Sequence, residues 1–233
     1  MIDMGKKVAE QLVDTLIEAG VRRIYAVTGD SLNEVNEAVR QNEAMKWIHV
    51  RHEETGAYAA GAEAQLTGLP GCCAGSSGPG HVHLINGLYD AHRSGAPVIA
   101  IASTIPTGEF ETEYFQETNT IKLFNDCSFY NEVATTPQQF PRMLQSALQT
   151  AITRKGVAVI GLPGDLAKKP AAQVESSEQI YPLASSVCPA EEDLIRMAGM
   201  LNHYGRITLF CGIGCKGAHE EIIRMSEILN APV

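Results

Sequence analysis

The sequence predicts an α/β fold: a doubly wound parallel sheet, followed by the start of a second α/β domain. Three observations predict it. Short, nearly continuous apolar runs recur along residues 22–162, and helical patterns alternate with them. Strands buried on both faces read this way, because the helices connecting parallel strands cover the sheet on each side. Two of the turns are polar or glycine-rich and open directly into helices, Thr28-Gly29-Asp30-Ser31 and Gly75-Ser76-Ser77-Gly78-Pro79-Gly80. Past residue 172 the periodicity lapses, and a helix, an apolar run and a further glycine turn then begin the pattern again.

Taken in order, Val8, Leu12, Leu16 and Ile17 fall at helical spacing ahead of Gly20, which predicts a helix over 5–19 with a glycine C-cap. Arg22 to Val27 reads as a strand, and Thr28 to Ser31 as the turn and N-cap of a helix from near Leu32. Trp47-Ile48-His49-Val50 precedes an alanine-rich helix over 53–66, and Gly71-Cys72-Cys73-Ala74-Gly75 precedes one that runs through Leu88. Further strands follow at 97–102 and at 156–162, the latter after a helix over 138–154. Residues 104–129 form a polar loop, longer than a plain connection needs, and such loops often carry function. The first domain is therefore expected over 1–172 and a linker over 173–188. The start of a Rossmann-like domain is expected over 189–233, with a helix at 190–204, a strand at 206–211 and a closing helix through Leu229. About 45 residues are too few to complete such a domain, so the sequence reads as the front portion of a longer enzyme.

Composition narrows the function. With 45% hydrophobic and 19% charged residues the chain supports a buried core. A formal charge of −9 with dispersed acids offers no basic surface, and nucleic acid is not expected as a partner. No apolar stretch approaches the roughly 20 residues of a membrane span, and residues 1–7 lack the core of a signal peptide, so a cytoplasmic location is expected. The six cysteines show no paired spacing and are expected reduced and mostly buried.

Several residues invite chemistry, each beside a plainer account. Glu53 and Glu54 open a helix, where acids suit the positive end of the helix dipole. Either one, at the carboxyl end of a parallel strand, would also point into the crevice where open α/β sheets bind ligands, partly desolvated and able to share a proton. The glycines between Gly75 and Gly80 allow close approach of backbone to a ligand, or simply a tight turn. His81 and His83 stand two apart on a helix and face different ways, which disfavours a shared metal. Tyr114-Phe115-Gln116-Glu117 lies in the long loop. Gly212-Ile213-Gly214, with Gly217 and Ala218, fits the dinucleotide pattern G-x-G-x-x-G/A between a strand and a helix.

In this order the motifs around Gly29, Glu53, Ser76 to Gly80, His83 to Asp90 and Tyr114 to Thr118 resemble the pyrimidine-binding domain of thiamine diphosphate enzymes, over essentially the whole chain. Within that family the chain looks most similar to the pyruvate oxidase branch, particularly the pyruvate:quinone oxidoreductases. The resemblance implies that Glu53 hydrogen-bonds the aminopyrimidine of thiamine diphosphate and relays a proton. It implies that Gly29, Ser76, Pro79 and His83 line the cofactor, and that Phe115 and Gln116 stand beside the substrate carbonyl. Gly212, Ile213 and Gly214 match a contact with FAD. The implied reaction is oxidative decarboxylation of pyruvate with electrons passed to a quinone. Magnesium would be held with the diphosphate by a carboxy-terminal domain, so no metal ligand is expected in this chain, which alone would be inactive. A homo-oligomer is implied, a dimer or tetramer. Peripheral attachment to the inner face of the membrane would come only from a segment beyond Val233. The sequence departs from the family in Thr28, where many relatives have proline, and in His81-Val82-His83, where Ala-Thr-Asn is common. The same motifs suit acetolactate synthase or another 2-keto acid decarboxylase or carboligase. The 212–218 pattern taken alone suits a nicotinamide dehydrogenase, and a pyrimidine-type domain without its partner suits a regulatory or assembly module.

Overall fold

The computed structural model describes residues 5–172 and 187–233, so most of the expected linker over 173–188 lies outside the described residues. The chain divides into two compact units, Met1–Ala184 and Ser185–Val233. In the first, strands and helices alternate: α1 (Val8–Glu18), β1 (Arg23–Ala26), α2 (Asn33–Arg40), β2 (Lys46–His49), α3 (Glu53–Thr67), β3 (Gly71–Gly75), α4 (Pro79–Arg93), β4 (Val98–Thr104), α5 (Thr120–Phe124), β5 (Tyr130–Val133), α6 (Phe140–Arg154), β6 (Val157–Pro163) and α7 (Gly164–Ala167). The six strands form one sheet in the order β2-β1-β3-β4-β6-β5, and every pairing is parallel.

Strand alternation sorts the core into two layers. On β4, Ile99 and Ile101 join the side chains of α1, α2 and α6, while Val98, Ala100 and Ala102 join those of α3 and α4 on the opposite face. Both layers are fully buried, which is why β3, β6 and β4 as far as Ala102 are apolar without interruption. The chain reverses its direction of travel across the sheet between β1 and β3, and that reversal opens the crevice where α/β sheets accept ligands.

The α3–α4 layer depends on small side chains. A Cβ at Gly87 of α4 would stand 2.6 Å from the Ala57 Cβ, 2.8 Å from the Glu54 carbonyl oxygen and 2.9 Å from the Tyr58 nitrogen. A Cβ at Gly61 of α3 would stand 3.2 Å from that of Ala91. Backbone thus packs on backbone, and the two helices approach closely enough to share side-chain partners at their amino-terminal ends.

The structure adds three elements that the sequence pattern does not announce, β5, α5 and the short α7. It does not form the strand expected at 206–211, which has no ladder partner among the described residues and only the bond from the Leu209 nitrogen to the Pro232 carbonyl, 2.9 Å. A strand exists by pairing, and an apolar run with no neighbour to pair with stays merely extended. The second unit therefore consists of α8 (Glu191–His203), a 3-10 turn at Ile213–Cys215 and α9 (His219–Leu229). Neither α8 nor α9 buries a residue. Thiols divide in the same way: Cys72, Cys73 and Cys127 are buried, whereas Cys188 and Cys211 are exposed and Cys215 is partly so. The expectation of mostly buried cysteines holds only for the first unit, because the second offers no core to enter.

Gly87→Ala should cost about 1–2 kcal/mol, the clash with α3 outweighing the gain in helix propensity. Thermal unfolding should register this as a midpoint lower by roughly 2–8 °C. Gly108→Ala, where a Cβ meets nothing within 4 Å, should stay within about 0.5 kcal/mol of the parent.

Candidate functional site

Loops from the carboxyl ends of four strands meet above the sheet. Gly29, after β1, lies so close to Ser76, after β3, that a Cβ at Gly29 would stand 2.4 Å from the Ser76 side chain. The Gly29 backbone is extended, with φ at −157°, so close approach rather than conformation is what requires glycine. Ser31 Oγ lies 2.9 Å from Ser76 Oγ and accepts from the Ser77 nitrogen at 3.2 Å, and Ser103 Oγ donates to the Ser31 carbonyl. The loops after β1 and β3 are tied by these serines to each other and to the end of β4.

The carboxylates after β2 have different surroundings. Glu53 is buried, and its Oε2 lies 2.9 Å from Nδ1 of His83 on α4. Its Oε1 faces Gly80, where a Cβ would stand 3.3 Å away, so the missing side chain leaves that oxygen uncovered. Glu54 is half-exposed and accepts from Asn86 Nδ2 at 2.6 Å. Spacing leaves Glu53 and Glu54 equivalent; burial and partners distinguish them. His52, which the sequence reading passes over, caps α3 by accepting from the Glu54 nitrogen at 3.3 Å. Its ring stacks on that of His83, centroids 4.2 Å apart.

Gly78 adopts φ +72° and opens α4, with Pro79 at the first helical position. A Cβ at Gly78 would stand 2.8 Å from the Gln116 Cβ, so the glycine turn and the long loop are in contact. Gln116 itself is left-handed at φ 64°, as are Glu111 and Glu113. Such conformations cost energy in residues other than glycine. The Glu117 carboxylate offsets that cost by accepting from the Glu111 and Tyr114 nitrogens. At the loop's entry Asp165 accepts from the Thr107 nitrogen at 2.9 Å and from its hydroxyl at 2.8 Å. Partial burial works to raise the Asp165 carboxyl, but these bonds and the nearby Lys169 ammonium hold it below its usual range. At the exit, His81 is fully buried. Its Nε2 faces the Ser103 carbonyl at 2.9 Å and so must carry the proton, leaving Nδ1 to accept from the Thr118 hydroxyl at 2.7 Å. His81 and His83 thus face different ways, as their spacing predicts: His81 fastens the loop while His83, two residues on, meets Glu53.

Two clefts flank Ser77. One, of about 310 Å³, lies between His81, Gln116 and Thr120; the other, of about 340 Å³, lies between Asp30, Phe115 and Lys168. Phe115 is 80% exposed. Neither cleft includes Glu53 or His83, whose pair opens on the surface of the chain. Gly212, Ile213 and Gly214 sit in the second unit, and a Cβ at either glycine would meet nothing within 4 Å. The strand that gives the dinucleotide fingerprint its meaning is not formed there, and α9 begins only at His219.

The family model for the N-terminal TPP binding domain of thiamine pyrophosphate enzymes matches residues 6–123. The chain belongs to this family. The matched stretch holds Glu53, His83, the glycine turn and the Phe115-Gln116 pair. Relatives include an uncharacterised 42.6 kDa protein in the isoamylase 3′ region of Pseudomonas amyloderamosa, 49% identical over 97% of this chain and 58% of that protein. A pyruvate oxidase of Lactiplantibacillus plantarum is 35% identical over 92% of this chain and 36% of its own length. A chloroplastic acetolactate synthase of Arabidopsis thaliana is 27% identical over 99% of this chain and 35% of its own length. This chain of the thiamine pyrophosphate family thus spans between about a third and three-fifths of these relatives.

Burial pushes the His81 imidazole down to about 4, against the opposing pull of the Ser103 carbonyl. Once unfolded it would titrate near 6.5. The folded chain therefore binds fewer protons between these values, and the stability present above about pH 6.5 is lost as pH falls toward 4, on the order of 3 kcal/mol in all. Urea midpoints measured from pH 7 to pH 4.5 should fall more steeply for the parent than for His81→Gln, whose amide has no proton to gain.

Proposed function

We propose that the chain supplies the pyrimidine half of a thiamine diphosphate site in an enzyme that decarboxylates a 2-keto acid, with pyruvate as substrate and a quinone as final electron acceptor. One observation carries the reading: the buried Glu53 carboxyl, held on one oxygen by His83 and left open on the other by Gly80, in a chain of this family. These residues fit an aminopyrimidine, which needs a carboxyl partner at a ring nitrogen and no side chain in between.

When bound, thiamine diphosphate supplies a carbon nucleophile and a sink for the electrons left behind as carbon dioxide departs. Glu53 would hold a proton at Oε1, the oxygen left open at Gly80, and could give it to and take it back from an aminopyrimidine nitrogen bound there. His83 fixes the rotamer of Glu53 through Oε2 and steadies its charge when the proton has left. Gly29 and Ser76 line the wall after β1 and β3, Pro79 begins the helix that carries His83, and Gln116 packs against the glycine turn. Phe115, exposed on the same loop, covers the substrate side.

Pyruvate is favoured because the pyruvate oxidase relative is 35% identical, against 27% for the acetolactate synthase. FAD on this reading meets Gly212, Ile213 and Gly214, whose turn follows no strand among the described residues. Magnesium enters with the diphosphate and takes no ligand from this chain. Because the Glu53–His83 pair is open to the surface, a second copy of the enzyme is proposed to close it, in a cytoplasmic homo-oligomer. Carboligation, as the acetolactate synthase relative suggests, is the second reading.

The test uses the uninterrupted reading frame with thiamine diphosphate, Mg²⁺ and FAD supplied. Pyruvate-driven reduction of a quinone-like dye should fall at least about 100-fold in Glu53→Gln. Pyruvate consumed without dye reduction would transfer the reading to carboligation, and an unimpaired Glu53→Gln would overturn the role of Glu53.

A further inference from the structure

Three side chains around the amino-terminal ends of α3 and α4 form a group that the proposed function does not use as such. His52, Glu53 and His83 each offer a ligand atom, and these atoms all lie within 4.8 Å of one another. No such group is visible along the sequence, because His52 and Glu53 come from the start of one helix and His83 from the first turns of another. The close packing of α3 on α4 is what brings them together.

We propose that His52, Glu53 and His83 form a binding site for a borderline divalent transition ion, Zn²⁺ or its spectroscopic substitute Co²⁺. The donor set is two imidazoles and one carboxylate, which suits such ions and leaves one tetrahedral position for water. Ligands about 2.1 Å from a tetrahedral ion stand about 3.4 Å apart. The separation of 2.9 Å between His83 Nδ1 and Glu53 Oε2 is already near that edge, so small side-chain rotations complete the set. The second ring nitrogen of His52 is available, since its Nδ1 serves the helix cap. Glu53 is 10% exposed, His52 45% and His83 41% on their side chains, so the carboxylate is sheltered while both imidazoles remain within reach of an ion from solvent. Three protein ligands to one ion also convert two stacked rings and a hydrogen bond into a fixed group.

The site stands on this geometry alone. One consequence rests on the proposed function: an ion seated there occupies Glu53 and His83 and excludes the aminopyrimidine, so that zinc acts as a reversible inhibitor competing with the cofactor.

The experiment titrates the chain with Co²⁺ and follows its visible absorption. A single ion per chain is expected, with the intense bands of four-coordination, displaced by one equivalent of Zn²⁺. His52→Asn retains a good helix cap but removes an imidazole, and it should weaken Co²⁺ binding at least tenfold without changing the thermal midpoint in the absence of metal. Glu53→Gln and His83→Gln should also weaken Co²⁺ binding at least tenfold. His203→Asn, on α8, should leave the titration unchanged. The proposal is overturned if the parent shows only weak octahedral absorption, or if His52→Asn binds as the parent does. In the uninterrupted enzyme, Mg²⁺-thiamine diphosphate should displace Co²⁺ beyond what an equal concentration of pyrophosphate extracts by chelation. Displacement no greater than pyrophosphate's, with binding still lost in the three variants, would leave the metal site standing and remove Glu53 from the cofactor reading.

Discussion

The contact on which the rest of this site depends is the backbone-to-backbone packing of α3 against α4. Gly87 lies on the Glu54 carbonyl and the Tyr58 nitrogen, and Gly61 lies on Ala91. Close packing at this density leaves no slack for an added methylene. With larger residues there, α4 would stand further from α3, and Glu53 would keep its burial only by losing His83. A buried carboxylate without a partner is costly, so this spacing is also what makes the acid tolerable where it sits.

The long loop solves a different problem. Three left-handed residues other than glycine in a span of six would not hold their shape unaided. Glu117 takes up two of the loop's nitrogens, Asp165 grips its entry through Thr107, and neutral His81 grips its exit through Thr118. The imidazole can do this only while uncharged, since one nitrogen must accept a hydrogen bond. A loop that carries exposed aromatic and amide groups is in this way fixed at both ends by groups under the sheet's rim, while its tip stays in solvent.

Much of the fold was legible because parallel strands covered on both faces have no polar face to confuse the reading. The runs at β3, at β6 and at β4 as far as Ala102 are apolar throughout, and each appears in the sequence as a strand. β5 was not legible: Tyr130-Asn131-Glu132-Val133 is an edge strand, half-covered, with the composition of a loop. The expected strand at 206–211 failed for the opposite reason. Its residues suit a sheet, but pairing is a property of two segments, and the described residues contain no neighbour for it. Within the site, residue type and position brought forward Glu53 together with Glu54 and His83 together with His81, and the resemblance chose Glu53 and His83 from these. That Glu53 rather than Glu54 is buried follows from the rotation of α3 on the sheet, which no spacing rule fixes. His52 was missed because the ring it stacks on, His83, belongs to another helix, and a single histidine before a helix carries no signal beyond its capping role. The resemblance to thiamine diphosphate enzymes supplied the roles, and the family match over residues 6–123 supports the cofactor more firmly than the substrate.

The distribution of cysteines gives the molecule two separate chemistries toward electrophiles. In the first unit burial pushes the Cys73 thiol up to about 12 and Cys127 to about 11, and also raises Cys72 well above its usual range, so the nucleophilic thiolate is practically never present. Cys188, Cys211 and Cys215 lie on the other unit, within reach of solvent. A maleimide or a fluorescent iodoacetamide would therefore mark residues 185–233 and spare the sheet, without any engineered cysteine-free background. The same partition makes oxidative damage a local event, confined to a region that holds none of the serines, histidines or carboxylates assembled around Glu53.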